Sequence, residues 1–282
     1  MFPNIFKLYK SVWKSMIQPH RIEYGEDNLG PAVGEYNGQF YVKENHTIRN
    51  LKGQAIKVTL YLPANREELM KENQNREENL MEQTASANAE VDAQGNVLHP
   101  NPDETNHQPK IETPEVGKTY EGMDCVVFLH THSGTRLQGL FLREWLILRK
   151  KALCVFDFHG SGLSEGKYVS FGYYETFDLD AVVRFLLEQK KMRSIALWGR
   201  SMGAATAIMY LSDSFRKEMA RLVTLNIERR DIFYPKDKVM CCVLDSPFPA
   251  LIDSIKNLVD KKSKYVPGIL VSLALKIIDS KL

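Results

Sequence analysis

The chain has 282 residues, 44% of them hydrophobic, which is material for one sizeable domain with a buried core. Lys and Arg number 37 against 35 Asp and Glu, and a net charge of +2 without a basic stripe among stacking aromatics argues against a nucleic-acid partner. The four cysteines (Cys125, Cys154, Cys241 and Cys242) fall inside short apolar runs with no Cys-x-x-Cys spacing. They read as free core thiols of a chain in a reducing compartment, not as metal ligands or a disulfide framework.

In chain order, the first segment is amphipathic. Phe2, Phe6, Tyr9, Trp13 and Ile17 recur at three- and four-residue spacing, Lys7, Lys10 and Lys14 lie opposite, and no acid precedes Glu23. The pattern predicts a basic helix within residues 1–22. It either packs on the domain's own core or docks through residues 2–17 on a membrane surface or a protein, with a cleaved targeting peptide as a third reading. The apolar run is too broken to span a bilayer, and no secretory signal pattern is present, so the expected place is intracellular, cytoplasmic or peripheral to a membrane.

Two strands are expected next, over 36–45 (YNGQFYVKEN) and 55–63 (AIKVTLYLP), as a leading antiparallel pair. Residues 63–119 contain no aromatic and no cysteine, and Glu, Asn and Gln dominate them. Such a stretch cannot bury much surface, so it reads as a flexible insertion that splits one domain into 23–62 and 120–282. Its first half, 67–83, has the composition of a solvated helix.

From residue 120 apolar strands and helices alternate: CVVFLH (125–130), RLQGLFLREWLILRK (136–150), ALCVFDF (152–158), TFDLDAVVRFLLEQK (176–190), SIALWG (194–199), SMGAATAIMYLSD (201–213) and VMCCVLD (239–245). This alternation predicts an α/β fold, a mostly parallel sheet with helices on both faces, whose strands are apolar throughout because both faces are buried. Ligands of such sheets bind at the carboxyl ends of the strands.

At one such end stands Gly199-Arg200-Ser201-Met202-Gly203, a G-x-S-x-G between strand and helix. A serine nucleophile needs a tight strand-to-helix turn to project its hydroxyl, and only small residues at 199 and 203 let the backbones approach. Ser201 is therefore the candidate nucleophile. The N–H of Met202, at the helix N-terminus, is aimed at a developing oxyanion. The loop Leu129–Arg136 is the candidate source of a second donor, with the N–H of His132 as first choice.

These segments carry a resemblance. FLHTHSGTR, FDFHGSGLSEGKYVSFG, LWGRSMGAATA and VLDSPFPAL, in that order, resemble the α/β-hydrolase superfamily, in its serine-aminopeptidase-like or acyl-thioesterase-like branch, over roughly 20–62 and 120–280. The resemblance implies the α/β-hydrolase fold and serine hydrolysis of an ester, thioester or amide through an acyl-enzyme on Ser201. It implies a small-molecule, lipid or peptide acyl substrate, no cofactor and no metal. Asp157 and Asp245 match positions that are mainly structural in relatives, and Thr131 departs from the glycine that many of them carry after a histidine like His130.

Relatives order their triad as serine, acid, histidine. All seven histidines here, His20, His46, His99, His107, His130, His132 and His159, precede Ser201, and the segments beyond Asp245 read as helices. No triad acid or histidine is identified, and the chain is expected to lack the last two strands and to be inactive or impaired as it stands. The alternatives are a non-catalytic binding or scaffold protein, or an unusual base drawn from His132 or His159. Asp245, as a displaced acid, would have no histidine to orient.

Overall fold

A computed structural model describes residues 17–66, 120–212 and 238–247. Its seven strands are β1 (Val33–Tyr36), β2 (Gln39–Arg49), β3 (Ala55–Ala64), β4 (Asp124–Leu129), β5 (Ala152–Phe156), β6 (Ser194–Arg200) and β7 (Val239–Asp245). They form one sheet in the order β1-β2-β3-β5-β4-β6-β7. The pairs β1–β2, β2–β3 and β3–β5 are antiparallel, whereas β4 pairs in parallel with both β5 and β6, and β6 with β7. The parallel part needs crossovers. They contain α1 (Arg143–Leu148), α2 (Glu175–Arg184, continued by a π-helical turn Phe185–Gln189) and α3 (Met202–Leu211).

The strand order locates the site. From β4 the chain goes to β5 on one side and then returns to β6 on the other, so the connections diverge at the carboxyl ends of β4 and β6. In an open α/β sheet that divergence opens a crevice at the end of the switch strands.

Both faces of the central strands are buried, as expected. On one face Val127, Leu129, Phe156 and Leu197 pack with Leu179 and Val182 of α2 and Met202 and Ala207 of α3. On the other, Phe128, Leu153 and Val155 pack with Leu146 and Ile147 of α1.

Three local expectations are corrected. The strand expected over 36–45 contains a hairpin turn: Asn37 and Gly38 have φ of 47° and 83° and separate β1 from β2. Positive φ at both central residues is the Asn-Gly turn whose twist suits a two-residue hairpin. The β2–β3 pair itself is present, closed at Asn50, whose Oδ1 accepts from Lys52 N and Gln54 N. The helix expected over 136–150 is a 3-10 stretch, Arg136–Leu142, before α1. Its first N–H, of Arg136, is donated to Asp157 Oδ1, and Gly139 lies so close to the sheet that an added Cβ would stand 2.6 Å from Val155 Cγ1.

The third correction concerns β7. Cys125 and Cys154 are core thiols, and burial pushes both pKa values up. Cys241 is exposed and Cys242 half-buried, and Met240 is 71% exposed, because β7 is paired along one edge only among the described residues. Ile17, the last residue of the segment expected either to pack on the core or to dock, is 2% exposed, and its carbonyl accepts from Val169 N at 2.7 Å, in keeping with core packing at this residue. The rest of the segment expected to be an N-terminal helix (1–16), the expected insertion from 67 to 119 and the segments after Pro247 lie outside the described residues; Pro63 and Ala64 belong to β3. Among the described residues no helix is long and apolar enough to cross a membrane.

Candidate active site

β6 ends at Arg200 and α3 begins at Met202, so the chain turns from strand to helix at one residue. Ser201 occupies φ 51°, ψ −109°, a conformation that is strained for a residue with a Cβ, at a cost of about 1–3 kcal/mol. Its surroundings hold it there. Ser201 N donates to Asp245 O of β7 at 2.8 Å, and Ser201 O accepts from Ala205 N at 3.0 Å. A Cβ on Gly199 would stand 2.5 Å from Gly203 O, and one on Gly203 would stand 2.1 Å from Leu129 O. Both glycines are thus required by close backbone approach, which seats the N-terminus of α3 against the carboxyl end of β4. The serine is half-buried, and among the described residues no side chain is hydrogen-bonded to its hydroxyl. Met202, the first residue of α3, has an N–H that no intrahelical carbonyl can reach.

The loop after β4 runs beside this turn. Thr131 N donates to Gln138 Oε1 at 3.0 Å, Gln138 Nε2 donates to Thr131 Oγ1 at 3.1 Å, and Gly134 N donates to Thr131 O at 2.9 Å. Thr131 does not have positive φ, so the departure from glycine is accommodated: its hydroxyl serves as an anchor. The His132 ring lies flat on Phe171, with centroids 4.5 Å apart and planes 13° from parallel.

Beneath the loop is a buried ion pair. Asp157 Oδ1 accepts from Arg136 N at 2.8 Å, and its Oδ2 accepts from Leu163 N at 2.9 Å and from the Tyr24 hydroxyl. Arg136 Nε donates to Tyr24 Oη at 2.6 Å and Nη1 to Thr59 Oγ1 at 3.0 Å. Burial, reinforced by the Asp157 charge, pushes the Tyr24 pKa up, so the phenol stays protonated and links the two ions. Asp157 therefore ties the end of β5 to the loop after β4.

The histidines are accounted for by other partners. His130 is sealed: Phe158 N donates to its Nε2 at 3.0 Å, so its proton sits on Nδ1 and is donated to Thr131 O at 2.7 Å. Burial pushes its pKa down, in keeping with this neutral form. His159 Nδ1 meets Asp178 Oδ2 at 2.7 Å and Nε2 faces Glu175 Oε1 at 3.7 Å. Burial lowers the His159 pKa, but the hydrogen bond to Asp178 and the charges of Asp178 and Glu175 outweigh it, so the net direction is up. His46 pairs with Glu44 and His20 is exposed, while His99 and His107 lie outside the described residues. No described imidazole is hydrogen-bonded to Ser201. Asp245 is engaged by Arg200 Nε at 2.9 Å and Ser246 Oγ at 2.8 Å.

Sequence reasoning missed Glu175, Asp178 and Asn50. The two acids stand at i and i+3 on the face of α2 that also carries Leu179 and Val182, and both are fully buried. Acids on an apolar stripe were the available signal for a buried polar network.

A family described as alpha/beta hydrolase fold matches residues 140–264. Over 57 residues the chain is 42% identical to an uncharacterised protein, YqkD, of Bacillus subtilis (strain 168). That stretch is 20% of this chain and 19% of YqkD, so the match spans about a fifth of that relative. Among solved structures, the esterase Pf2001 of Pyrococcus furiosus is 18% identical with a TM-score of 0.47, covering 92% of this chain and 70% of that one. An esterase of Exiguobacterium antarcticum is 14% identical with a TM-score of 0.38, covering 77% and 55%.

Proposed function

We propose, from the α/β-hydrolase fold of this chain, that it is a serine hydrolase whose nucleophile is Ser201 and which acts on an ester, thioester or amide. The observation that carries the reading is the Ser201 backbone, held at φ 51°, ψ −109° between two glycines that tolerate no side chain. Strain of this kind persists where surroundings over-determine it, and here it aims a hydroxyl at the end of the switch strands. In the reaction the Ser201 oxygen attacks the carbonyl carbon, and the negative charge on the carbonyl oxygen is met by the N–H groups of Met202 and His132. Collapse releases the alcohol, thiol or amine with a proton, and water then hydrolyses the acyl-serine. Contact with a membrane or protein is proposed for the N-terminal segment, residues 2–17, as the alternative to its packing on the domain, with which the burial of Ile17 agrees.

A second reading, a hydrolase fold used for binding or scaffolding, is favoured by one observation: the absence of an imidazole bonded to Ser201 among the described residues. A serine hydroxyl without such a base is a weak nucleophile, and the oxyanion donors alone give residual chemistry. The two readings separate by labelling the chain and its Ser201→Ala variant with a fluorophosphonate, followed by peptide mass mapping. The hydrolase reading expects one slowly formed adduct, on Ser201, absent from the variant. Adducts elsewhere, or none, favour the scaffold.

A further inference from the structure

Phe171 combines three features that core packing does not require together. It is a non-glycine residue at φ 56°, it is 3% exposed, and its ring lies parallel to the ring of His132 at 4.5 Å. The strained turn around it is held by one buried carboxylate. Glu175 accepts from Ser170 N at 2.8 Å, from Ser170 Oγ at 2.5 Å and from Gly172 N at 2.7 Å. Three donors on both sides of Phe171 thus converge on the first turn of α2. Gly172 in turn abuts α3, where an added Cβ would stand 3.3 Å from Thr206 N. The turn therefore joins the helix that follows Ser201 to the loop that carries His132.

We infer that Phe171 is a positioning residue for acyl transfer: gripped by Glu175, its ring holds His132 and fixes the second oxyanion donor relative to Ser201. This rests on the serine-hydrolase reading. Thr131 and Gly134 anchor the loop on either side of His132 through Gln138 and Thr131 O, and the Phe171 ring stacks on the residue between them. A flat aromatic partner fixes the tilt of the imidazole, which a branched aliphatic side chain of similar volume cannot do.

The test compares the parent chain with Phe171→Leu, Phe171→Tyr and Glu175→Gln. Two readouts are followed: the ring-proton NMR shifts of His132 and the rate of fluorophosphonate labelling at Ser201. In Phe171→Leu and Glu175→Gln the ring-current displacement of His132 is lost and labelling slows roughly 100-fold, the effect of misplacing a catalytic donor by about an ångström. The probe concentration for half-saturation stays unchanged. Phe171→Tyr keeps the ring and retains both signals. Should Phe171→Leu lose its folded circular dichroism, Phe171→Gly, which relieves the positive-φ strain, carries the same comparison. Labelling that depends on Ser201 but is equally fast without the ring overturns the positioning role alone, as does an unmoved His132 shift. Labelling indifferent to Ser201→Ala overturns the hydrolase reading and the role of Phe171 with it.

Discussion

Replacing Gly203 by alanine sets helix propensity against packing. Propensity favours the change, since glycine inside a helix is worse than alanine by about 1 kcal/mol. Packing opposes it, because the new Cβ would stand 2.1 Å from Leu129 O and 2.5 Å from Leu129 C. Ordinary contacts lie at 3.4–4 Å, and the obstacle is backbone of the central strand β4, not the tip of a flexible side chain. Relief requires α3 to withdraw from β4 by about an ångström, and a gap of that size forfeits a quarter to a half of each dispersion contact across it. The residues that would lose contact include Met202 and Ala207, buried in one cluster with Val127 and Leu129 of β4. Overpacking costs about 1–3 kcal/mol, and a clash with the backbone of a central strand belongs at the upper end, so after the propensity gain the net expectation is a loss of about 2 kcal/mol. For a domain of this size that lowers Tm by roughly 4–8 °C. Thermal and urea unfolding of the variant measure it, and Ser201 labelling should fall in parallel because the turn is displaced. A variant as stable as the parent, or more stable, refutes the close approach of α3 to β4 on which the geometry of Ser201 depends.

Two further substitutions test the buried charges. Since the folded His159 pKa is raised above its ordinary value of 6.5, its stabilisation is complete below about pH 6.5 and fades as pH rises through the folded value. His159→Gln should therefore cost most stability near pH 6, with the difference from the parent shrinking towards pH 9; a pH-independent difference in urea midpoint counts against a charged His159 between Asp178 and Glu175. Asp157→Ala leaves the buried Arg136 guanidinium with only the exposed Glu26 carboxylate, 3.6 Å from Nη2, as an ion partner, so a loss of about 3 kcal/mol is expected in chemical unfolding, and a neutral outcome would mean that the ion pair does not hold the loop.

The parts of the fold legible in the sequence are those specified locally. Strands β4, β5 and β6 stand out as short apolar runs because both of their faces are covered, and the turn at Ser201 stands out because its two glycines sit two residues from the serine on either side. The Asn37-Gly38 turn was equally local, and the strand propensity of its flanks concealed it. What was not legible depends on distant partners. Asn50 Nδ2 meets Asp178 across 128 residues of sequence, and Tyr24 meets Asp157 across 133. The exposure of Cys241 depends on which edge of β7 is paired, which the composition of VMCCVLD does not encode. Thr131 drew attention only for lacking the freedom of glycine, while its role comes from a hydroxyl bonded to Gln138.

The most direct test of Ser201 as the proposed nucleophile, to which no described imidazole is hydrogen-bonded, is chemical rescue. The chain and its Ser201→Ala variant are given an activated p-nitrophenyl ester at pH 8 with increasing free imidazole, and the variant's rate is subtracted as background. A residual Ser201-dependent rate that climbs with imidazole concentration is expected, because the added base takes the proton that no described residue accepts. A Ser201-dependent rate that is already fast and indifferent to imidazole would contradict the expectation that Ser201 lacks a base, and a rate identical in the Ser201→Ala variant at every imidazole concentration would contradict the nucleophile itself.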